Sequence, residues 1–198
     1  MKTSILAGIA VSIGCIVNLL VGGVPGAILF SMGLGAILVF GWNLFTGKVG
    51  LLAKNEITFQ ELIKILIGNF IGVLSTAAAI SLTPVGEKII NSEMLNNIIN
   101  IRLSNGWIEN LILGTFCGLL MYVAVFAYKT SGSFVMITFP VAVFILSGFN
   151  HCIADMFYFI LAGSFHWSTL VFLICVTLGN LIGGSIIHLL IAYSEKQN

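Results

Sequence analysis

One histidine and one acid stand inside an otherwise apolar stretch, residues 145–156 (Ile-Leu-Ser-Gly-Phe-Asn-His-Cys-Ile-Ala-Asp-Met). The imidazole of His151 can donate or accept a hydrogen bond and can change its charge near neutral pH. On a helix, Asp155 would share a face with His151, where its carboxylate would either orient the imidazole or cap nearby backbone N–H groups. His151 could also be an ordinary buried histidine tied to a backbone carbonyl, so its role depends on where the stretch lies.

The composition places this stretch in a membrane. Hydrophobic residues make up 59% of the 198-residue chain and charged residues only 8%, and the mean hydropathy is +1.12. An ionisable side chain at bilayer depth is costly and usually faces a protein interior or a water-filled path. We therefore expect His151 to lie beside a path through the protein.

The same composition argues against several other functions. The formal net charge is +1 and the basic residues are scattered, whereas a nucleic-acid-binding protein needs a clustered basic face. The four cysteines are far apart with no Cys-x-x-Cys pair, so we expect no disulfide, metal site or cofactor. The few ionisable residues of the late helices do not make a catalytic set, and no Gly-rich nucleotide loop indicates an ATP-driven pump. We therefore expect neither an enzyme nor a pump.

Apolar stretches of about 20 residues can span the hydrocarbon core of a bilayer. We predict six spanning helices, and the first is retained rather than cleaved because no convincing small-residue cleavage site follows it. The six lie near residues 4–21, 25–45, 59–82, 107–128, 134–163 and 167–193. The polar breaks between them lie at 22–25, 46–59, 83–106, 129–133 and 163–167.

Two of these elements look interrupted. The second breaks within residues 43–48 and resumes at 49–53, and the fifth breaks at 147–151. Glycine beside polar residues in an apolar run interrupts the helix and leaves backbone N–H and C=O groups without helical partners. Lipid cannot satisfy these groups, so such a break is stable only where it packs against protein or lines a cavity. Paired breaks at matching places in two halves indicate a transport site at the midplane.

A repeated motif supports two related halves. Gly-Asn-Phe-Ile-Gly at 68–72, with Asn69, recurs as Gly-Asn-Leu-Ile-Gly at 179–183, with Asn180. Three helices per half give the halves opposite orientations, which is the inverted-repeat arrangement. We predict a single all-α transmembrane domain over 1–198, with halves of roughly 1–82 and 107–198.

The basic residues set the orientation. One side of the membrane would hold Lys2, Lys54, Lys64, Lys129 and Lys196 with Lys48 near it, and the other side Lys88 and Arg102. We therefore expect both termini to be cytoplasmic.

At these motifs the chain resembles the formate/nitrite transporter family, and most closely its hydrosulfide-channel branch. Residues 44–47 (Leu-Phe-Thr-Gly) are similar to the family's second-helix break, and residues 148–157 to its fifth-helix signature, Gly-Phe-Glu-His-x-x-Ala-Asn-Met. The resemblance implies an aquaporin-like six-helix bundle in the cell membrane. It also implies a homopentamer with one pore in each protomer.

The resemblance assigns pore residues by position. Thr46 and His151 would face each other at the pore centre. Two constrictions would flank them, the outer formed by Phe30 and Phe144 and the inner by Leu34 and Leu44. Without the resemblance, ordinary core packing would explain these four apolar side chains.

Several positions depart from the family pattern. Asn150 stands in place of the usual glutamate before the histidine, and Asp155 in place of the usual asparagine four residues after it. Lys48 replaces a small polar residue, and Arg102 a lysine before the fourth helix. Lys48 and Arg102 would either concentrate anions at the pore mouths or be solvated interfacial charges.

These features predict a passive channel for a small monovalent anion. Thr46 and His151 would donate hydrogen bonds that offset lost hydration, and the half-helix N-termini would add favourable dipoles. Hydrosulfide is soft and weakly hydrated, so apolar constrictions disfavour it least, and we expect it to be the substrate. The alternative substrate is formate or nitrite, carried by a channel or by proton-coupled transport. An aquaporin-like pore for neutral solutes would share the repeat, but the chain lacks the paired Asn-Pro-Ala motifs.

Overall fold

The computed structural model describes residues 1–195, and within them the chain is entirely helical. Lys196, one of the lysines used above for orientation, lies outside the described residues. The helices of this part are α1 (Lys2–Val21), α2 (Gly23–Val39), α3 (Phe45–Ala53), α4 (Phe59–Ser81), α5 (Pro84–Ile90), α6 (Glu93–Ser104), α7 (Trp107–Ser131), α8 (Val135–Leu146), α9 (Cys152–Leu161) and α10 (Trp167–Glu195).

Six elements form the bundle, as predicted. The helices α1, α4, α7 and α10 are each long and apolar enough to cross a membrane. The other two elements are pairs of shorter helices, α2 with α3 and α8 with α9. In the first half α1 packs against α2 and α4, and in the second α7 packs against α8 and α10. The predicted interrupted second and fifth elements are therefore confirmed.

The two breaks have the same backbone geometry. Gly41 follows α2 with φ 67° and Gly148 follows α8 with φ 71°, a left-handed conformation that suits glycine. After each glycine the chain turns back onto the helix. The Trp42 N–H donates to the Ile37 carbonyl at 2.8 Å, and the Phe149 N–H donates to the Phe144 carbonyl at 2.9 Å. Glycine thus ends the first half-helix of each pair in the same way.

In the first half, Asn69 on α4 holds the start of α3. Its Oδ1 accepts a hydrogen bond from the backbone N–H of Phe45 at 2.8 Å. Its Nδ2 donates to the carbonyl of Ser4 on α1 at 2.7 Å and to that of Asn43 in the break at 2.9 Å. One side chain therefore ties α3 and the preceding break to α1.

In the second half, Asn180 on α10 makes the equivalent three bonds. Its Oδ1 accepts from the Cys152 N–H at the start of α9 at 2.9 Å. Its Nδ2 donates to the carbonyl of Gly114 on α7 at 2.7 Å and to that of Asn150 in the break at 2.9 Å. The asparagines of the two Gly-Asn motifs thus make equivalent hydrogen bonds in the two halves, which is the pattern of a repeat.

The glycines of the motif let helix backbones approach closely. A Cβ on Gly72 would overlap the carbonyl oxygen of Ile5 on α1, and a Cβ on Gly183 would overlap that of Thr115 on α7. This contact brings each asparagine within reach of carbonyls on the neighbouring long helix.

Two predicted boundaries were wrong. The second break covers residues 40–44, not 43–48, and α3 occupies part of the predicted 46–59 connection. Asn69 makes this possible by capping Phe45 from a distant helix, a contact with no local signal. The predicted 83–106 connection contains α5 and α6, whose N-termini are capped by the hydroxyls of Thr83 and Ser92.

Replacing Asn180 with leucine should lower stability. The change leaves the Cys152 N–H and two carbonyls unpaired inside the protein, at about 1–3 kcal/mol for each group. We expect a clear fall in the apparent melting temperature of the protein in detergent. Asn97→Leu, at an exposed position of α6, is the matched control and should leave the melting temperature near wild type. Equal melting temperatures for the two variants would refute the anchoring role of Asn180.

Candidate functional site

The two half-helices bring together Thr46 and His151, which are 105 residues apart in the chain. Thr46 lies in the first turn of α3, and His151 is the N-cap residue of α9. Thr46 Oγ1 lies 2.9 Å from His151 Nε2. Both residues are only 2% exposed, so the pair is a polar contact inside an apolar bundle. The structure therefore brings together the two residues that the family resemblance assigns to the pore centre.

The cap at α9 defines which nitrogen of His151 carries the proton. The backbone N–H of Ala154 donates to Nδ1 at 3.2 Å, so Nδ1 acts as the acceptor. A neutral imidazole then carries its hydrogen on Nε2. Nε2–H consequently donates to the Thr46 oxygen, and the Thr46 hydroxyl hydrogen stays available to a further acceptor.

A pair of phenyl rings closes one side of this contact. Phe30 on α2 and Phe144 on α8 meet edge to face, with ring centroids 5.8 Å apart and planes at 88°. Both are buried. The Phe144 ring also stacks on the imidazole of His151, with centroids 5.7 Å apart. The structure therefore brings together the two phenylalanines that the family resemblance assigns to an outer constriction, an assignment that stays a prediction.

An outer vestibule of about 430 Å³ reaches this side of the site. It is bordered by His151, Phe144, Asn150 and Arg102, and also by Asn18 near the end of α1. The vestibule therefore ends on the imidazole and on one ring of the phenyl pair.

An inner vestibule of about 70 Å³ approaches from the other side. Leu34 and Leu44 both line it, together with Gly47 and the two basic residues Lys48 and Lys129. Because Gly47 directly follows Thr46, and His151 lines the outer vestibule, the Thr46–His151 pair lies between the two spaces. Leu34, Leu44 and Lys48 therefore border the same small cavity, and the assignment of the two leucines to an inner constriction stays a prediction.

Asp155 does not orient His151, which corrects the expectation from their spacing. Its Oδ1 accepts from Arg102 Nε at 2.6 Å. Within the described residues the only hydrogen bond between Asp155 and His151 joins their backbones, from the Asp155 N–H to the His151 carbonyl at 2.9 Å. The guanidinium also lies over the Tyr158 ring, 5.2 Å from the ring centroid. Arg102 is therefore a paired cation and not the solvated interfacial charge that was one of the two expectations.

Asn150 is held by a residue that the sequence reasoning missed. Its Nδ2 donates to Asn110 Oδ1 at 3.3 Å. Asn110 Nδ2 in turn donates to the carbonyls of Arg102 and Asn105, at 3.4 and 3.3 Å. Asn110 thus fastens the end of α6 to the fifth-element break. The one sequence feature that indicates a role for Asn110 is its polar amide within the apolar sequence of α7.

A family model described as formate/nitrite transporter matches residues 1–194. The chain belongs to the formate/nitrite transporter family. Among the family's curated members, the formate channel FocA of Haemophilus influenzae is 30% identical, over 81% of this chain and 70% of its own length. The uncharacterized transporter YrhG of Bacillus subtilis is also 30% identical, over 86% of this chain and 72% of its own length.

Solved structures show the same fold. One described as a pentameric formate channel with formate bound has a TM-score of 0.81 at 24% identity, covering all of this chain and 96% of that one. One described as an FNT family ion channel has a TM-score of 0.79 at 24% identity, covering 93% and 85%. The predicted family and aquaporin-like fold are therefore confirmed, and the chain is an integral membrane protein. The relatives and the matched structures are described as channels or transporters.

Thr46→Val should impair anion flux without unfolding the protein. Valine keeps the shape but removes the hydroxyl, so a crossing anion loses one donor and the Nε2–H loses its acceptor. Loss of one such hydrogen bond predicts about a ten-fold lower flux, measured in proteoliposomes at equal protein. Thr76→Val is the control, because the Thr76 hydroxyl bonds only the Gly72 carbonyl of its own helix.

His151→Ala should impair flux or selectivity in the same assay, since it removes both the Nε2 donor and the α9 cap. Wild-type flux and selectivity in both the Thr46 and the His151 variants would contradict the site assignment.

Proposed function

We propose that the protein is a passive channel that carries small monovalent anions across the membrane through a pore in each protomer. The observation that carries this proposal is the buried Thr46–His151 pair between two apolar constrictions, with a vestibule on either side. The pore centre is Thr46 and His151, the outer constriction Phe30 and Phe144, and the inner constriction Leu34 and Leu44.

The apolar constrictions impose the main barrier, because an anion must lose much of its hydration there. Donors at the centre offset that loss. They are the Thr46 hydroxyl hydrogen and the N-terminal ends of α3 and α9, whose dipoles favour negative charge. The His151 Nε2–H joins them when the anion replaces the Thr46 oxygen as its acceptor. The asparagine caps occupy the Phe45 and Cys152 N–H groups. For the Thr46 and Ile153 N–H groups no acceptor is found among the described residues.

The charges favour an anion over a neutral solute. Lys48 and Lys129 line the inner vestibule, where they raise the local anion concentration. At the outer vestibule the Arg102–Asp155 pair carries little net charge, but the guanidinium keeps N–H groups beyond the one used by Asp155. A pore for neutral solutes is therefore the weaker alternative.

Hydrosulfide is the substrate we propose. It is soft and weakly hydrated, so two apolar constrictions penalise it less than a hard anion, and Asn150 removes the acid usual beside the histidine. Formate is the second candidate, because curated relatives such as FocA are named formate channels. Nitrite belongs to the same class of monovalent weak-acid anions.

We further propose a homopentamer in the cell membrane with both termini cytoplasmic. The pentamer is supported by the structural neighbour described as pentameric. The orientation is supported by the lysines at the terminal side of the bundle, including Lys48 and Lys129 at the inner vestibule. The halves of the repeat are proposed as roughly 1–82 and 107–198, with Asn69 and Asn180 as their anchors.

Anion flux into proteoliposomes tests the substrate. Hydrosulfide should permeate at least as well as formate near neutral pH, and chloride poorly, because chloride is the anion of a strong acid and cannot take up a proton. Protein-free liposomes control for spontaneous leakage of hydrogen sulfide. Robust formate flux with no protein-dependent hydrosulfide flux would reject hydrosulfide and favour formate. Flux of glycerol with none of these anions would reject the anion channel altogether.

The mass of the purified protein in mild detergent tests the assembly. We expect a particle of five protomers, because the solved structure that shares this fold with a TM-score of 0.81 is described as pentameric. Native mass spectrometry gives the subunit count directly. A stable monomer that still conducts anions after reconstitution would contradict the pentamer.

A further inference from the structure

Asn18, near the end of α1, is a buried amide that the fold does not use. Its side chain is 3% exposed, and its Oδ1 is enclosed without a hydrogen-bond partner among the described residues. Leaving a buried polar atom unpaired costs about 1–3 kcal/mol, and such an atom in a native protein calls for an explanation.

The other fully buried asparagines of the described chain all make side-chain hydrogen bonds that hold the fold together. Asn69 and Asn180 hold the half-helices, and Asn110 and Asn150 hold the end of α6 to the fifth-element break. Asn18 makes no side-chain hydrogen bond among the described residues. Its removal should therefore cost the fold little, which points to a ligand as the reason for its presence.

The placement of Asn18 aims its donor at the outer vestibule. Oδ1 lies against α2 at Gly26, where even a Cβ would come within 3.0 Å of it. Nδ2 is not among the enclosed unpaired atoms, and the residue lines the outer vestibule. The NH₂ end of the amide therefore faces the vestibule, with its two hydrogens available.

Arg102 offers donors to the same space. It lines the outer vestibule, and its Nε is used by Asp155. For its two terminal nitrogens no acceptor is found among the described residues. A neutral ligand would gain little from a cluster of donors only, whereas an anion can accept from all of them.

We propose that Asn18 and Arg102 form an outer anion subsite, which holds a small monovalent anion in the vestibule before it passes the Phe30–Phe144 pair. The inference rests on the proposed anion-channel function and adds a residue to it. Because the Arg102–Asp155 pair carries little net charge, hydrogen bonds rather than a strong positive field retain the anion. Asn18 supplies the uncharged part of this recognition and sets the affinity of the first binding step.

Two variants of Asn18 separate a ligand role from a packing role. Asn18→Leu keeps the size but removes the donor. Asn18→Asp keeps the shape and replaces the NH₂ group by an acceptor that repels anions. Formate and hydrosulfide are the probes, and the readout is flux into proteoliposomes over a range of anion concentration. Asn97→Leu on the exposed side of α6 is the control.

We expect Asn18→Leu to raise the half-saturating concentration about ten-fold, with maximal flux changed much less. Asn18→Asp should raise the half-saturating concentration further, because the carboxylate repels the anion. A packing role for Asn18 would give the opposite order, since aspartate has the shape of asparagine and leucine does not. An unchanged half-saturating concentration in Asn18→Leu would overturn the subsite and leave Asn18 as a residue hydrated by vestibule water. An aspartate variant that folds and equals wild type would overturn it too.

The wild-type protein in the same experiment separates this proposal from the function on which it rests. Saturable anion flux in wild type with no effect of the Asn18 variants rejects only the subsite. Absence of any protein-dependent anion flux in wild type rejects the channel function and the subsite with it.

Discussion

Two asparagine side chains hold the architecture of the pore, because a break inside a membrane-spanning element must have its free backbone groups satisfied by protein. Asn69 and Asn180 each bond the first N–H of a half-helix, a carbonyl of the break before it and a carbonyl of a long helix in the same half. With these bonds in place, α3 and α9 can begin deep in the bundle. Their N-terminal ends then lie beside the buried Thr46–His151 pair, which is the pore centre of the proposed function.

The chemistry of the site follows from that placement. Thr46 and His151 place two polar side chains at the half-helix N-termini, and the hydrogen bond from the Ala154 N–H to Nδ1 leaves the Nε2–H of His151 directed at Thr46. On the proposed function, the phenyl pair and the leucine pair are apolar barriers on either side of a few oriented donors. That arrangement is the basis for proposing a weakly hydrated monovalent anion. Asp155 serves a different purpose, since its carboxylate pairs with Arg102 and not with the imidazole.

The sequence predicted what local patterns encode. Long apolar runs give the six elements, and glycine beside polar residues gave the fifth-element break at 147–151, which lies between α8 and α9. The second break was displaced by a few residues because Asn69, more than twenty positions away, determines where α3 begins. Asp155 and Arg102 are 53 positions apart, so their pairing has no local signal. The four-residue spacing from His151 indicates only the imidazole or nearby backbone N–H groups as partners for the carboxylate. Asn18 was missed because one amide in an apolar helix has no periodic pattern.

The most direct test of the central claim is an experimental density map of the purified protein in lipid nanodiscs, with and without saturating formate. The account predicts density for an anion in each protomer, within hydrogen-bond distance of Thr46 Oγ1 and His151 Nε2, that is absent from the anion-free sample. Anion density found only between protomers, with the Thr46–His151 pair sealed from both vestibules, would contradict it.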